Sequence, residues 1–193
     1  MDDAKYILQI IKRRASSRRY SDKPVPQEVI DNILEAGRWG PSVHRQQSWR
    51  FISVSDKNTI LRIADICDQK AANLETGGNN FGGRIIRGAA FCVFAYNTGL
   101  LSGPLKKFKK MTYAELAHLA EIQSIAAGIQ NMILTAEGYN LGSCWLNMPL
   151  VCQQEINACL NEHQELIAVV TFGFSQDSPK RENRAEGLIR KIL

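Results

Sequence analysis

Apolar residues recur along this chain in two rhythms, a spacing of three to four residues and short unbroken runs, and the two alternate. Tyr6, Ile7, Ile10 and Ile11 share one helical face, which predicts a helix over 3–14. Pro26 suits the first turn of a second helix with the stripe Val29, Ile30, Ile33 and Leu34, stopped by Gly40-Pro41. WRFISV at 49–54 reads as a strand, and Ile60, Leu61, Ile63, Ala64 and Cys67 predict a helix over 56–74. GGNNFGG at 77–83 reads as a loop. AAFCVFAY at 89–96 is continuously apolar, the mark of a strand buried on both faces. Thr112 and Glu115 form a capping box that opens the longest helix, about 113–138. Its apolar residues, from Leu116 and Leu119 to Ile133 and Leu134, reach so far around that burial on several sides is expected. Two further strands, 142–146 and 167–172, flank a helix near 151–161. Five helices interleaved with four strands make an α+β or α/β protein.

Composition narrows this picture. The 193 residues fit one domain, 1–193, with no internal repeat or linker. Hydrophobic residues at 45% and charged residues at 22% are ordinary for a globular chain. No apolar run approaches the roughly 18 residues of a membrane span. No secretory signal is visible at the N-terminus, so the expected compartment is the cytoplasm. The net charge of +5 is concentrated in basic clusters at 5–23, 106–110 and 180–191. The five cysteines, Cys67, Cys92, Cys144, Cys152 and Cys159, show no metal spacing and read as buried reduced thiols. His44, His118 and His163 lie far apart without companion ligands, so no metal is expected. The chain has no G-x-G-x-x-G, no P-loop and no G-x-S-x-G elbow. An enzyme built this way draws its chemistry from a cofactor.

Two segments stand out. Arg13-Arg14-Ala15-Ser16-Ser17-Arg18-Arg19-Tyr20 closes the first helix. Arginine forks and hydroxyls gathered at one turn suit a phosphate monoester. A solvated basic helix end that complements the helix dipole accounts for the same residues, and the physics of the segment alone favours it. Trp39 to Phe51 runs from a Gly-Pro stop through a polar loop into a strand. Its side chains suit hydrogen bonding to a heteroaromatic ring edge, or simply an ordinary connection.

Taken together, the segments resemble the nitroreductase family of FMN-dependent NAD(P)H oxidoreductases. The matching residues are Arg14, Ser16, Arg18 and Tyr20, then Pro24-Val25-Pro26, then Gly40-Pro41-Ser42 with Gln47-Ser48-Trp49. They continue through Ala126–Leu134, Leu141-Gly142-Ser143-Cys144-Trp145-Leu146, Phe172-Gly173-Phe174 and Arg184, so the resemblance spans about 7–187. It implies a three-layer α/β/α sandwich with a mixed, mainly antiparallel sheet, assembled as an intertwined homodimer around the long helix.

The resemblance also assigns roles. Arg14, Ser16 and Arg18, with Arg13 beside them, would hold the FMN phosphate and ribityl end, and Arg184, or Arg181, would close on it. Pro41, Ser42, Val43 and Arg45 would approach the isoalloxazine ring from the second subunit. Leu146, Asn147 and Met148 would line the ring, and Arg84 would face its N1/O2 edge. NAD(P)H and a nitroaromatic, quinone or similar small electrophile would then exchange hydride through flavin N5 in turn. Arg45, Ser48 and Asn147 depart from the usual Asn, Pro and Glu or Gly, which bears on substrate choice. Any lid would come from 97–112. Other readings are a specialised flavoprotein of the same fold (a dehalogenase, an enone reductase or a flavin-destroying enzyme), a flavin sensor, and a basic nucleic-acid or anion-binding module. Nucleic acid is disfavoured because only Tyr20 and Phe108 lie near the basic clusters.

Overall fold

The computed structural model describes residues 2–73, 82–107, 111–177, 184–185 and 187. Helices α1 (Asp3–Arg13) and α2 (Gln27–Arg38) lead into strand β1 (Trp49–Val54). Helices α3 (Lys57–Asn73) and α4 (Gly83–Gly88) precede β2 (Phe91–Asn97). Helices α5 (Ser102–Lys107) and α6 (Met111–Gly138) precede β3 (Gly142–Leu146), and α7 (Gln153–Leu160) precedes β4 (Glu165–Gly173). The strands lie in the order β1-β2-β4-β3, every neighbouring pair antiparallel. Among the described residues the parallel component of the expected mixed sheet is one bridge, Ser16 to Ser143.

The alternation of β2 explains the layers. Cys92, Phe94 and Tyr96 face a core completed by α3, α4 and α7, including Ile60, Ile63, Ile86 and Ile156. Phe91, Val93 and Ala95 face the opposite core, with Ile30 and Ile33 of α2 and Ile125, Ile129 and Met132 of α6. All seven β2 residues are buried, as an unbroken apolar run requires. Helix α2 crosses α6 at a glycine contact, since a Cβ on Gly128 would stand 2.8 Å from the carbonyl oxygen of Gly37.

Four expectations need correction. Pro26 caps α2 from outside rather than entering its first turn. Thr112 lies inside α6, which begins at Met111, so it is not the cap. Of the expected loop 77–83, Gly82 turns at φ +87 and Gly83 already belongs to α4, while 77–81 fall outside the described residues. Helix α6 is buried on several sides only in part, because Tyr113, Leu116 and Leu119 remain more than half exposed. Helix α1 likewise buries none of its residues, and Tyr6, Ile7, Leu8 and Ile11 face outward. All five cysteines are free thiols, four of them buried. Burial pushes the Cys92 thiol up to about 12, which keeps it protonated and inert.

Candidate functional site

The segment after α1 is fixed at several points. The Ser17 amide donates to the Ser143 carbonyl at 2.9 Å, beside the Ser16–Ser143 bridge. The buried Tyr20 hydroxyl donates to the Ser17 carbonyl at 2.7 Å. Asp177 accepts the Arg18 and Arg19 amides at 2.6 and 2.9 Å and the Arg19 Nε at 2.7 Å. Gly142 lets this segment approach β3, because a Cβ there would stand 2.6 Å from Ser17 Cβ.

These anchors sort the arginines. Arg13 is taken by Glu137 at the end of α6, with Nε to the carboxylate and a second nitrogen to the carbonyl, both at 2.7 Å. Arg19, Arg38, Arg50 and Arg87 are likewise paired with carboxylates. Arg14, Arg18, Arg45 and Arg84 form no ion pair among the described residues. Arg184 is exposed, and Arg181 falls outside the described residues. The positive charges of Arg18 and Arg14 both act on the Cys144 thiol, easing the upward push of burial, so both cations lie near β3. The Arg14, Ser16 and Arg18 triplet is thus brought together with its cations unpaired. Arg13 is drawn off to α6.

Asp177 is the hub of this turn, and its acidity carries a prediction. The Arg19 side chain and the Arg18 amide hold its carboxyl below the ordinary aspartate value of 3.8. Its stabilising contribution is therefore complete above that value and lost as pH falls through the lower folded one. A thermal-unfolding series should show Asp177→Asn narrowing its deficit against the parent protein as pH drops below about 4. A deficit that does not vary with pH would contradict this role.

The other end of β3 carries the next group. Gly82, in the left-handed region, lies where a Cβ would stand 3.0 Å from Leu146 Cδ1 and 3.5 Å from Pro149 Cγ. This contact seats the start of α4, and with it the exposed Arg84, on the turn formed by Leu146, the exposed Asn147 and Met148. Three residue steps of about 3.3 Å place Leu146 roughly 10 Å from Ser143 along β3. One edge of the sheet therefore offers unpaired cations at one end and a turn with exposed polar groups at the other.

Residues 41–47 lie elsewhere. Val43 to Arg45 form a 3-10 turn, and His44, Arg45 and Gln47 adopt φ of +47, +56 and +48. The other non-glycine residues at positive φ, Asn140 and Asn161, sit at helix ends where asparagine is commonplace. Left-handed backbone at a non-glycine residue costs on the order of 1 kcal/mol, and such strain collects at functional sites. Ser42 Oγ accepts the Gln47 amide at 3.3 Å, and Ser124 Oγ on α6 accepts the Val43 amide at 3.1 Å. Ser124 and Glu137 are thirteen helical steps apart, so this loop and the Arg13 anchor touch α6 at points about 20 Å apart. Pro41, Ser42, Val43 and Arg45 are thus far from the triplet within one chain.

No motif in the sequence marks the buried polar group around α6. Glu121 is fully buried and accepts the Leu101 amide at 2.7 Å, the Ser102 amide at 3.2 Å and the Ser102 hydroxyl at 2.6 Å. Asn97 Nδ2 lies 3.2 Å from both Glu121 and His118 Nδ1. Burial pushes the Glu121 carboxyl up, but these hydrogen bonds together hold it below the ordinary glutamate value. The one local hint is the charge of Glu121, set one turn from the apolar Ala117 and Ile125. Asp177 meets its partners across nearly the whole chain and gave none. The expected lid segment contains α5, whose start is held by Glu121, while 108–110 fall outside the described residues.

A four-stranded antiparallel sheet between two helical layers, with unpaired cations and an exposed turn along one sheet edge, defines a three-layer α+β protein. The family model for the nitroreductase family matches residues 11–174, and the chain belongs to that family. A Methanothermobacter thermautotrophicus protein bearing the name NADH dehydrogenase/NAD(P)H nitroreductase is 25% identical over 90% of this chain and 79% of its own. Iodotyrosine deiodinase of Danio rerio is 23% identical over 100% of this chain and 66% of its own. The solved structure of a Bacteroides fragilis nitroreductase with bound FMN superposes with a TM-score of 0.76 at 22% identity, over 97% of this chain and 98% of that one. Among the described residues no helix is long and apolar enough to cross a membrane, and no cluster of His, Cys, Asp and Glu fits a metal.

Proposed function

We propose that the chain, as a single domain, is an FMN-dependent oxidoreductase that takes electrons from NAD(P)H and passes them to small electrophiles such as nitroaromatics or quinones. The observation that carries this reading is the pair of unpaired cations, Arg14 and Arg18, on a turn whose other charges are all satisfied. A phosphate dianion meets that need, and Ser16 adds a donor; Arg184 is positioned in the sequence to close on the same group. Bound FMN supplies reversible two-electron transfer, and the protein supplies position and field. Leu146 and Asn147 support the flat ring. Arg84 would supply a fixed positive charge beside that ring, which favours its anionic reduced form.

The reading requires a homodimer. The loop of Pro41, Ser42, Val43 and Arg45 cannot reach the triplet of its own chain, so a second copy supplies it. The exposed apolar face of α1, and Leu119 of α6, fit such an assembly. Sedimentation should show a flavin-carrying dimer; a stable monomer that keeps its flavin would contradict the shared site. The reading places the reaction in the cytoplasm, without nucleic-acid or membrane partners.

Purified protein should be yellow, release FMN on denaturation and bleach when NAD(P)H is added without oxygen. A colourless protein that takes up no FMN would overturn the reading. Arg45 adds a cation beside the ring, and Arg45→Asn should lower the flavin potential and weaken preference for anionic acceptors while leaving FMN bound. A redox titration with matched anionic and neutral quinones checks this. Similarity to iodotyrosine deiodinase over the whole chain favours a second reading, reductive dehalogenation of an aromatic substrate, which halide release would reveal.

A further inference from the structure

Between the 43–44 turn and the first turns of α6 lies an open groove of about 440 Å³, lined by Val43, His44, Leu101, Tyr113, Leu116, Ala117 and Ala120. Its size falls within the roughly 300–1,000 Å³ of small-molecule clefts. Its lining contains no Asp, Glu, Lys or Arg. Two small residues three apart, Ala117 and Ala120, give it a shallow wall suited to a flat ring. Among the lining side chains, His44 and Tyr113 carry hydrogen-bonding groups.

Both walls are fastened to α6 from below. Glu121 takes the amides of Leu101 and Ser102, which hold the Leu101 wall. Ser124, one turn further along, accepts from the Val43 amide and donates a hydrogen bond to the Ala120 carbonyl at 2.7 Å. Glu121 is 0% and Ser124 6% exposed. A carboxylate with no cationic partner among the described residues, buried beneath one wall, and a buried hydroxyl beneath the other make this groove a built feature. The strained turn at His44 and Arg45 is the wall that Ser124 restrains.

We propose that Glu121 and Ser124 are positioning residues that set the spacing of the two walls, and with it the affinity of this groove for the aromatic acceptors of the proposed function. The substrate part rests on the proposed oxidoreductase function, in which the 41–45 loop borders the reacting ring. The positioning part rests on the hydrogen bonds alone.

The test uses the flavin-loaded protein with methyl-labelled alanine and acetophenone as an uncharged aromatic probe. Acetophenone should shift the Ala117 and Ala120 methyl resonances saturably, and Ala120→Phe, which fills the groove, should abolish that binding. Glu121→Gln and Ser124→Ala should each weaken acetophenone roughly three- to tenfold, the effect of one lost hydrogen bond, with FMN content unchanged. Ser124→Thr keeps the hydroxyl and should restore affinity, which decides the matter if Glu121→Gln fails to fold. The KM for a neutral quinone should rise by the same factor, while that for ferricyanide, too charged for the groove, should not. Methyl resonances indifferent to acetophenone, or affinities unchanged in both Glu121→Gln and Ser124→Ala, would overturn the proposal. So would Ala117 and Ala120 methyls that respond to protein concentration instead, which would assign the groove to a second copy of the chain. Acetophenone binding with the same methyl shifts in protein that takes up no FMN would support the groove while refuting the flavin reading.

Discussion

Arg14→Ala and Arg18→Ala should each weaken FMN binding by roughly ten- to a hundredfold, the value of a charge-assisted hydrogen bond of about 1.5–3 kcal/mol. The loss should fall on affinity rather than on folding. The backbone of this turn is held by Asp177, by the Ser143 carbonyl and by the Tyr20 hydroxyl, none of which uses the Arg14 or Arg18 side chain. Arg13→Ala provides the contrast. Its guanidinium pairs with Glu137 at a partly exposed surface, where such pairs contribute about 0–1 kcal/mol. That variant should lose a little thermal stability and almost no FMN. Lysine at 14 or 18 should recover only part of the affinity, since an ammonium cannot grip phosphate oxygens as a planar fork does. Equilibrium titration of flavin-free protein with FMN, beside thermal unfolding of each variant, separates the two outcomes. Equal losses of FMN affinity in Arg13→Ala and Arg14→Ala would refute the division between paired and unpaired arginines.

Gly128→Ala should lower stability even though glycine inside a helix is ordinarily worth replacing. In an exposed helix the change would gain about 1 kcal/mol of propensity. Here the new Cβ would stand 2.8 Å from the Gly37 carbonyl oxygen and 3.1 Å from Phe51 Cζ. The first neighbour is backbone, so α2 must move away from α6, and overpacking of this kind costs about 1–3 kcal/mol or more. Gly40 makes the same contact from the other side, its Cβ position lying 2.8 Å from Gly128 Cα. The net result should be a fall of several degrees in melting temperature, at about 2–4 °C per kcal/mol for a chain of this size. Gly37→Ala meets the tip of the Met132 side chain instead, which can turn aside, and should be the milder change. Because α2 leads directly into the 41–47 loop, Gly128→Ala should also loosen flavin retention. Calorimetry of the two variants side by side measures the difference; a more stable Gly128→Ala would show that the helices have room to spare.

Much of the frame is legible in the chain. The unbroken run that becomes β2 announces burial on both faces, and the two cores divide its odd and even residues. Helices α4 and α5, of six residues each, are too short to display a helical period in the sequence. The surplus apolar face of α6 could be read, but only the fold reveals that it stays uncovered in one chain. Within the candidate site the limit is sharper. Arg13 and Arg14 are adjacent and chemically identical, and nothing local distinguishes the one that meets Glu137 from the one left unpaired. That division depends on where α6 ends relative to α1, a long-range fact. Glu121 and Ser124 show the same dependence, since their partners at 101–102 and 43 lie far off in sequence.

If Arg14 and Arg18 are kept unpaired for a phosphate, the phosphate must dominate flavin affinity. The most direct test compares FMN with riboflavin, which lacks that phosphate, by fluorescence titration of flavin-free protein. The parent protein should bind FMN at least roughly a hundredfold more tightly than riboflavin, and the ratio should collapse toward one in the Arg14→Ala/Arg18→Ala double variant. An FMN-to-riboflavin ratio that survives the double substitution would contradict the account.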